Sequence, residues 1–357
     1  MIAPYITLEK IQQYLPSAKL SEVSEAYLTK PLVTISTDSR TIKEDDFFIA
    51  LRGDSFDGNR FLNEVFSKGA FAALASDQTQ TVIKRPLMIV DNTLRAMQQI
   101  AKSWRQELQT KVSVVTGSNG KTTVKEMIAA IFKQALGSDL VLATTGNLNN
   151  EIGLPLTLLK LHRHHQLAVL EIGMNHPGET SFLAQIACPN IALINNAQRE
   201  HQEFMHTVQA VALEHGAVIK SLDQDGIAIF PADSEYTPIW RDLAGQRTTY
   251  EFELGTLQNP SQADIHGFWA QDGKLTICFR PMSGASSENT VQVQLKTLGD
   301  HNAKNALAAA AVAYAAGIEL SAIQEGLEGF KPVSGRMCEH HLPSIYGQGR
   351  MIDDTYN

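Results

Sequence analysis

The chain has 357 residues, of which 43% are hydrophobic and 19% charged, and its formal net charge is -8. This length suits two or three domains that each bury a core, and the composition is typical of a folded globular protein and not of a disordered one. The negative charge argues against a nucleic-acid-binding protein, because such proteins concentrate Lys and Arg on one face.

The cysteines and the apolar runs exclude several further classes. Cys188, Cys278 and Cys338 lie far apart and form no CxxC pair, so the sequence suggests neither a disulfide framework nor a zinc site and fits a reducing cytoplasm. The first 15 residues carry charges inside their apolar pattern and predict a small amphipathic helix, not a cleaved signal. The longest apolar run, 306–318, is shorter than the roughly 20 residues that cross a bilayer. We therefore expect a buried helix there and no membrane insertion.

Residues 1–108 show the pattern of a small α/β domain. Short strand-like runs (LVTIS, DDFFIAL, FAALAS and LMIVD) alternate with turn residues. Apolar residues then recur at helical spacing over 92–108, which predicts a closing helix.

Residues 109–332 change to repeated strand-helix units and predict a second, larger domain. Near-continuous apolar strands alternating with helices indicate a mainly parallel sheet that is flanked by helices on both faces. The expected strands are VSVV (112–115), LAVLEI (167–172), IALINN (191–196) and GIAIF (226–230). Period-two alternation within 248–298 predicts a few antiparallel strands, and a helix is expected over 302–316. Residues 333–357 have the composition of a linker, followed by the strand-like segment RMIDD.

The stretch VVTGSNGKTTVKEM, residues 114–127, predicts an anion site between a buried strand and a helix. A glycine-rich turn there aims backbone N–H groups and the positive end of the helix dipole at one point. Lys121 would reach the outer phosphates of a nucleotide, and the Thr122 hydroxyl could ligate Mg²⁺. The match is incomplete, since Val115 stands where the general phosphate-loop pattern has glycine. The alternative is a helix N-terminus with no ligand.

Several long motifs resemble the Mur ligases, the amide ligases of peptidoglycan synthesis, over essentially the whole chain. They are TGSNGKTT, LATTGNLNNEIGLPLTLL (142–159), LEIGMNHPGET (170–180), LGDHNAKNALAAAA (298–311) and IDDTYN (352–357). The resemblance is greatest to the branch that joins D-alanyl-D-alanine to UDP-N-acetylmuramoyl tripeptide. It implies a small N-terminal α/β UDP-binding domain and a central phosphate-loop domain that uses ATP and Mg²⁺. It also implies a cytoplasmic enzyme, which we expect to be a monomer.

The resemblance assigns the ATP phosphates to the turn and the metal to residues around it. The phosphate-binding residues would be Gly117, Ser118, Asn119, Gly120, Lys121, Thr122 and Thr123. Glu171 matches a family Mg²⁺ ligand at the end of a strand, and a buried glutamate would be costly without such a partner. His201 matches a histidine that assists a second Mg²⁺, although a lone loop histidine is commonly just solvated.

One departure from the family concerns the helix after His201. Family members commonly carry a lysine there, carbamylated in several of them, whereas this chain has Glu214 and His215. Glu214 could supply a carboxylate ligand without carbamylation, and an exposed helical glutamate is the alternative.

The remaining ATP contacts are assigned by the same resemblance. Asn305, with Asn302 beside it, would meet the adenine, because an asparagine amide offers the paired donor and acceptor of an adenine edge. Asn302 could instead be the N-cap of its helix. Arg336 would contact the phosphates and Asp354 the ribose.

The muramoyl substrate would be held by residues from two regions. Ser36, Thr37, Asp38, Ser39 and Arg40, with the later segment 53–58, resemble the UDP-sugar site, although a solvated turn would have the same composition. Asn147, Asn149 and Asn150 would face the muramoyl peptide. The cluster His162, His164 and His165 fits a solvated loop better than a metal site.

Two other functions compete with this reading. Folylpolyglutamate synthases share the phosphate turn but lack a TDSR-bearing domain before it. A switch-type NTPase would need a guanine-reading NKxD-like motif, which is not evident. Because family members continue by roughly one domain beyond IDDTYN, we expect this chain to be an incomplete ligase with little or no activity on its own.

Overall fold

The computed structural model describes residues 6–21, 23–53, 55–76, 85–256, 258, 261–270, 273–280, 289–297, 299–331, 338–341 and 350–353. The chain divides into two compact units. The first combines Met1–Thr110, Leu148–Gln166 and Gln185–Cys188, and the second combines Lys111–Asn147, Leu167–Ala184 and Pro189–Asn357. Neither unit is one continuous segment, so the domain boundaries expected from the sequence stay a prediction.

The elements alternate between helix and strand along most of the chain. The helices are α1 (Leu8–Tyr14), α2 (Glu25–Thr29), α3 (Leu62–Ser67), α4 (Thr93–Gln106), α5 (Lys121–Leu136), α6 (Gly153–Leu158), α7 (Glu179–Ala187), α8 (Gln202–Met205), α9 (Val208–His215), α10 (Ala217–Lys220), α11 (Thr237–Ala244), α12 (Asp300–Ala316) and α13 (Leu320–Gly329). The strands are β1 (Lys19–Leu20), β2 (Ile35–Ser36), β3 (Phe47–Ile49), β4 (Ala72–Ala75), β5 (Leu87–Ile89), β6 (Lys111–Thr116), β7 (Val141–Ala143), β8 (Leu167–Glu171), β9 (Ile191–Ile194), β10 (Ile227–Pro231), β11 (Thr248–Gly255), β12 (Ile265–Trp269), β13 (Lys274–Phe279), β14 (Asn289–Gln294), β15 (Cys338–His341) and β16 (Arg350–Asp353).

The first unit is built on a five-stranded sheet in the order β1-β5-β4-β3-β2, parallel except for β1. Helix α4 starts where the Asn92 side chain accepts the Arg95 N–H at 2.9 Å, which satisfies a donor that the first helical turn leaves open. Its apolar face is buried, and the Trp104 indole donates to the Leu161 carbonyl at 2.9 Å. The α/β fold expected of the N-terminal region is confirmed.

The second unit contains a nine-stranded sheet in the order β14-β13-β12-β11-β10-β9-β6-β8-β7. Every neighbouring pair from β7 to β12 is parallel. Strand β13 pairs antiparallel with both of its neighbours, β12 and β14. The sequence prediction of a mainly parallel sheet is confirmed. The antiparallel extension is limited to β13 and β14, because β11 follows the crossover helix α11 and continues the parallel order.

Helices cover both faces of this sheet. Ile229 belongs to a core cluster with Val115 and Leu193. Buried side chains of α5, α12 and α13 form the rest of this cluster's helical side. The next residue, Phe230, lies with its ring centroid 6.1 Å from that of Trp240 in α11. Because successive strand side chains point to opposite faces, α11 covers the other face. The Ala-rich α12 is buried, as its composition predicted.

The end of the chain contributes a separate antiparallel pair, β15 with β16. Within the described part of the chain, none of the helices combines the length and apolarity that a bilayer crossing requires.

We expect Gly326→Ala to destabilise the second unit, because a Cβ at that position would lie 2.5 Å from Ile131 Cα where α13 meets α5. The obstacle is backbone, so the helices must move apart, and the expected loss is about 1–3 kcal/mol of unfolding free energy. Chemical denaturation measures it. Gly329→Ala in the same helix is the control, since nothing lies within 4 Å of its added Cβ. Equal stability of the two variants would contradict the close helix packing.

Candidate active site

The glycine turn and Glu171, which were expected to bind phosphate and metal, lie at one edge of the large sheet. Strands β6, β8 and β9 are adjacent and parallel, with Val115 paired to Glu171 and Thr116 to Ile194. Their carboxyl ends therefore lie side by side, which is where open α/β sheets bind ligands. The turn after β6, the acid that ends β8 and the polar segment after β9 share this edge.

The turn at 117–120 leads directly into the first residue of α5, Lys121. Gly117 and Gly120 have φ of 139° and 76°, values that side chains rarely adopt. An added Cβ on Gly120 would also lie 2.6 Å from Asn305 Oδ1 and 2.8 Å from Asn195 Nδ2. Glycine is thus required here by conformation and by space. The N–H groups of the first turn of α5 have no partner within the helix and face the anion position that the sequence predicted.

Glu171 lies against the start of α5. Its side chain is 2% exposed, and its Oε2 accepts a hydrogen bond from Thr122 Oγ1 at 2.9 Å. Its backbone N–H donates to Thr144 Oγ1 at 3.0 Å, which fixes the strand end. Fully buried Lys125 holds the same segment by donating to the Thr144 carbonyl at 2.8 Å. The structure therefore brings Thr122 and Glu171 together and adds Thr144 and Lys125, which sequence reasoning missed.

Lys121 is directed back onto the turn that precedes it. Its Nζ donates to the carbonyls of Gly117 at 2.5 Å and Ser118 at 3.2 Å. Glu200 Oε2 lies 3.9 Å from the same ammonium. The lysine is where the motif placed it, and a carboxylate that the sequence did not single out lies beside it.

Two asparagines after β9 hold the peptide group at Asn119. Asn196 Oδ1 accepts the Asn119 N–H at 2.9 Å, and the Asn119 carbonyl accepts from Asn195 Nδ2 at 2.9 Å and from Asn196 Nδ2 at 3.0 Å. Sequence analysis included both asparagines in the expected strand 191–196. The structure ends β9 at Ile194, so they follow the strand and contact the turn.

The asparagines of α12 connect to the same network. Asn305 Oδ1 accepts from Asn195 Nδ2 at 3.0 Å, and Asn302 Oδ1 accepts from Asn305 Nδ2 at 3.4 Å. Because α12 begins at Asp300 with Gly299 as its N-cap, the alternative interpretation of Asn302 as an N-cap is wrong. Arg336 and Asp354 lie outside the described residues.

The segment after β9 also contains His201, the expected second metal residue. His201 is exposed, has a left-handed conformation with φ of 45°, and caps the start of α8. The Glu214 carboxylate accepts the N–H groups of Gly178 at 3.0 Å and Thr180 at 2.9 Å, so it binds the start of α7. Among the described residues no group of three or more His, Cys, Asp or Glu side chains is arranged to hold a metal.

Partly buried Glu200 pairs with buried His215 beside the turn. His215 is 1% exposed, and its Nε2 lies 2.8 Å from Glu200 Oε1 while its Nδ1 lies 2.9 Å from Thr116 Oγ1. A carboxylate can only accept, so Nε2 carries the proton and Nδ1 accepts from the threonine. Burial lowers the pKa of His215. Burial alone would raise the pKa of Glu200, but hydrogen bonds from His215 and Ser118 and the charge of Lys121 bring it below its usual value.

In the first unit, the predicted UDP-sugar residues follow β2. Ser36 Oγ accepts the Asp38 N–H at 3.1 Å, and Lys68 Nζ donates to the Ser39 carbonyl at 2.9 Å. Asp38 accepts from Arg40 Nε at 2.8 Å and from a terminal guanidinium nitrogen at 2.7 Å. Hydrogen bonding to Arg40 lowers the pKa of Asp38 to about 2. The Arg40 side chain is 85% exposed, so the pair presents a guanidinium to solvent. Thr37 is partly buried.

The three predicted asparagines near residue 148 have different surroundings. Asn147 is exposed, Asn149 is partly buried, and Asn150 Oδ1 accepts the N–H groups of Ile152 at 3.2 Å and Gly153 at 2.8 Å at the start of α6.

The histidine cluster nearby is held together by contacts among its own members. His165 Nδ1 accepts the His162 N–H at 2.8 Å, and the His164 and His165 rings lie 4.5 Å apart. Burial and the neighbouring histidines lower the pKa of His165 to about 4.

We expect Gly120→Ala to cost more stability than Gly317→Ala. Both glycines have positive φ, which costs an alanine about 1–2 kcal/mol. Only Gly120 is also crowded, because its added Cβ would displace the Asn195 and Asn305 amides, and loss of their mutual hydrogen bond at 3.0 Å adds about 1 kcal/mol. Gly317 is the matched control, because nothing lies within 4 Å of its added Cβ. Urea denaturation compares them, and an equal loss would show that the turn is not packed against α12.

Comparison with known proteins agrees with this geometry. A family model described as the Mur ligase middle domain matches residues 115–313, and one described as the Mur ligase family catalytic domain matches 32–105. The chain is 35% identical to the UDP-N-acetylmuramoyl-tripeptide--D-alanyl-D-alanine ligase of Haemophilus influenzae, covering 90% of this chain and 68% of that protein. It is 36% identical to the ligase of the same name from Escherichia coli, covering 91% and 69%. The chain thus spans about two thirds of the length of these relatives.

Solved structures give the same result. The crystal structure of MurF from Acinetobacter baumannii matches all of this chain and 74% of that one, with a TM-score of 0.84 and 28% identity. The MurF ligase of Thermotoga maritima in complex with ADP matches 91% of this chain and 71% of that one, with a TM-score of 0.74 and 26% identity. From the family matches, the identity to full-length relatives and the shared fold, we conclude that the chain belongs to the Mur ligase family.

Proposed function

We propose that this chain functions in the ATP-dependent ligation of D-alanyl-D-alanine to UDP-N-acetylmuramoyl tripeptide. The observation that carries the proposal is the buried contact between Thr122 and Glu171 beside the glycine turn and Lys121. This arrangement suits a nucleotide triphosphate, and it occurs in a chain whose relatives carry the name of that ligase.

The reaction needs an activated carboxylate. The terminal carboxylate of the tripeptide would attack the γ-phosphorus of ATP, forming a C–O–P bond and releasing ADP. The amine of D-alanyl-D-alanine would then attack the carbonyl carbon of this acyl phosphate, forming the amide and releasing phosphate and a proton. The first step builds negative charge on phosphoryl oxygens, and the second builds it on the carbonyl oxygen and then on the departing phosphate, so catalysis depends on positioning and electrostatic stabilisation.

The residues of the turn have the chemistry for this task. The backbone N–H groups of Gly120 and of the first turn of α5 would bind phosphate oxygens. Those of Ser118 and Asn119 donate to the Asn196 carbonyl and Oδ1 at 3.2 and 2.9 Å, so they would exchange these neutral acceptors for phosphate. The Lys121 ammonium would leave the carbonyls of Gly117 and Ser118 for the outer phosphates, an exchange of neutral acceptors for charged ones. Thr123, in the first helical turn, would contribute its N–H.

The oxygen donors at the sheet edge fit Mg²⁺. This ion is bound through one or two protein oxygens together with waters and substrate phosphates, so a three-residue cage is unnecessary. We propose that Thr122 and Glu171 hold it and that His201 assists a second ion. When bound, Mg²⁺ would neutralise charge on the transferred phosphoryl group.

The other contacts of the substrates are proposed on the family resemblance. Asn302 and Asn305 would meet the adenine, and Arg336 and Asp354 would meet the phosphates and ribose. Ser36, Thr37, Asp38, Ser39 and Arg40 would bind the UDP moiety, with Asn147, Asn149 and Asn150 at the muramoyl peptide. On this proposal residues 1–108 form the UDP-sugar domain, 109–332 the ATP domain and 333–357 a linker with the start of a further domain. We propose a cytoplasmic monomer.

We expect Lys121→Met to weaken ADP binding in the presence of MgCl₂ by about 10- to 100-fold, because it removes a charge-assisted hydrogen bond to phosphate. Isothermal titration calorimetry measures the affinity directly. Lys133→Met, which removes an exposed lysine from the same helix, is the control and should bind as the unmodified chain does. Unchanged binding by Lys121→Met would refute the phosphate site.

We expect Arg40→Ala to weaken binding of UDP-N-acetylmuramoyl tripeptide by about tenfold through loss of a guanidinium contact to the diphosphate. ADP binding should stay unchanged, which separates a local effect from misfolding. Arg95→Ala, at an exposed position of α4, serves as control. If calorimetry detects no binding of the UDP-tripeptide by the unmodified chain, the proposed substrate is wrong.

A further inference from the structure

A negatively charged side chain that sequence analysis did not select lies against the phosphate turn. Glu200 has a side chain that is only 13% exposed. Its Oε1 accepts from Ser118 Oγ at 2.8 Å, and its Oε2 lies 3.9 Å from Lys121 Nζ. The Ser118 oxygen in turn accepts the Gln198 N–H at 2.8 Å. The carboxylate is therefore in contact with two residues that the proposed function assigns to ATP phosphates.

A buried histidine holds the carboxylate in that position. The buried His215 donates from Nε2 to the same Oε1 at 2.8 Å, and its other nitrogen is engaged by Thr116 at the end of β6. Moving Glu200 away from the turn would break the hydrogen bond and leave a buried imidazole N–H without its acceptor, which is costly. The charge is thus fixed beside the turn, whereas an exposed glutamate could move into solvent.

A fixed carboxylate has opposite effects on the two forms of a nucleotide. Metal-free ADP or ATP carries several uncompensated negative charges, and bringing them against Glu200 is opposed by like-charge repulsion at short range. A nucleotide that carries a divalent cation has two fewer negative charges, so the repulsion is smaller. A charge that only neutralised Lys121 would weaken both forms equally.

We propose that Glu200, held by His215, is a specificity-determining residue that makes the phosphate turn select the magnesium complex of the nucleotide over the metal-free nucleotide. The proposal rests on the proposed function, since it requires that the turn bind nucleotide phosphates. Glu171 would also favour the metal complex through the ion that it would hold. The effect of Glu200 is therefore measured as a change in the affinity ratio between the two forms.

The test is calorimetric titration of the whole chain with ADP in excess EDTA and with ADP in MgCl₂. Glu200→Gln keeps an oxygen that can accept from Ser118 and His215 but removes the charge. It should tighten metal-free ADP binding by about tenfold and change binding of the magnesium complex by less than about threefold. Glu200→Asp keeps the charge and should keep the original ratio. Glu203→Gln, which removes an exposed charge three residues away, is the control and should also keep it.

The outcomes separate this inference from the function on which it rests. If the unmodified chain binds ADP with MgCl₂ but Glu200→Gln weakens both forms equally, or leaves the ratio unchanged, Glu200 only supports the turn and the inference is wrong. If the unmodified chain binds neither form, the proposed nucleotide site fails and the inference with it. If Glu200→Gln does not fold, Glu200→Ala is measured in its place, and the ratio must fall in the same direction.

Discussion

The hydrogen bond from Thr122 to Glu171 joins the first turn of α5 to the end of β8, and the rest of the site is arranged around it. A glutamate at 2% exposure is stable only where its oxygens are engaged, so this bond and the backbone bond to Thr144 fix the strand end relative to the helix. Because β6 pairs with β8 on one side and β9 on the other, fixing the helix at β8 also places the turn beside the residues that follow β9.

A network of polar side chains supports the turn from outside it. Asn195 and Asn196 hold the peptide of Asn119, and Asn305 joins Asn195 to α12. On the other side Glu200 and His215 link Ser118 to the end of β6. Such networks keep a site in one geometry as long as each member is satisfied. A phosphate-binding turn gains from this, since the N–H groups of Gly120 and of the start of α5 then keep one orientation.

Attraction and repulsion of a nucleotide come from different residues of this network. The N–H groups, Lys121 and the Thr122–Glu171 pair would attract a nucleotide with its cation. Glu200 adds a fixed negative charge at the same place, so the site combines attraction to phosphate with rejection of phosphate that lacks a cation. Selectivity of this kind needs a repulsive element as well as attractive ones.

Local pattern in the sequence was sufficient for the strand-turn-helix unit at 111–136, for the parallel sheet and for the buried Ala-rich α12. Each depends on near neighbours in the chain: apolar periodicity, glycine where φ is positive, and polar residues at strand ends. The motifs TGSNGKTT and LEIGMNHPGET likewise identified Lys121, Thr122 and Glu171, which the structure places at one edge. Pattern gave only an approximate extent for the antiparallel strands, because strand direction depends on the crossover that precedes it. It left Asn302 open as an N-cap, because Asp300 and Asn302 are both residue types that begin helices.

What only the tertiary structure decided is which distant side chains contact the turn. Ser118 contacts Glu200, which is 82 residues away, and Asn119 contacts Asn195, which is 76 residues away. His215 joins the network through Glu200, and Asn305 joins it through Asn195, 110 residues earlier in the chain. No local pattern encodes such a contact, because it arises from the order of β6, β8 and β9 in the sheet and from the packing of α12 upon it. The sequence by itself therefore determined the chemistry of the phosphate turn, and the fold decided which charges and amides surround it.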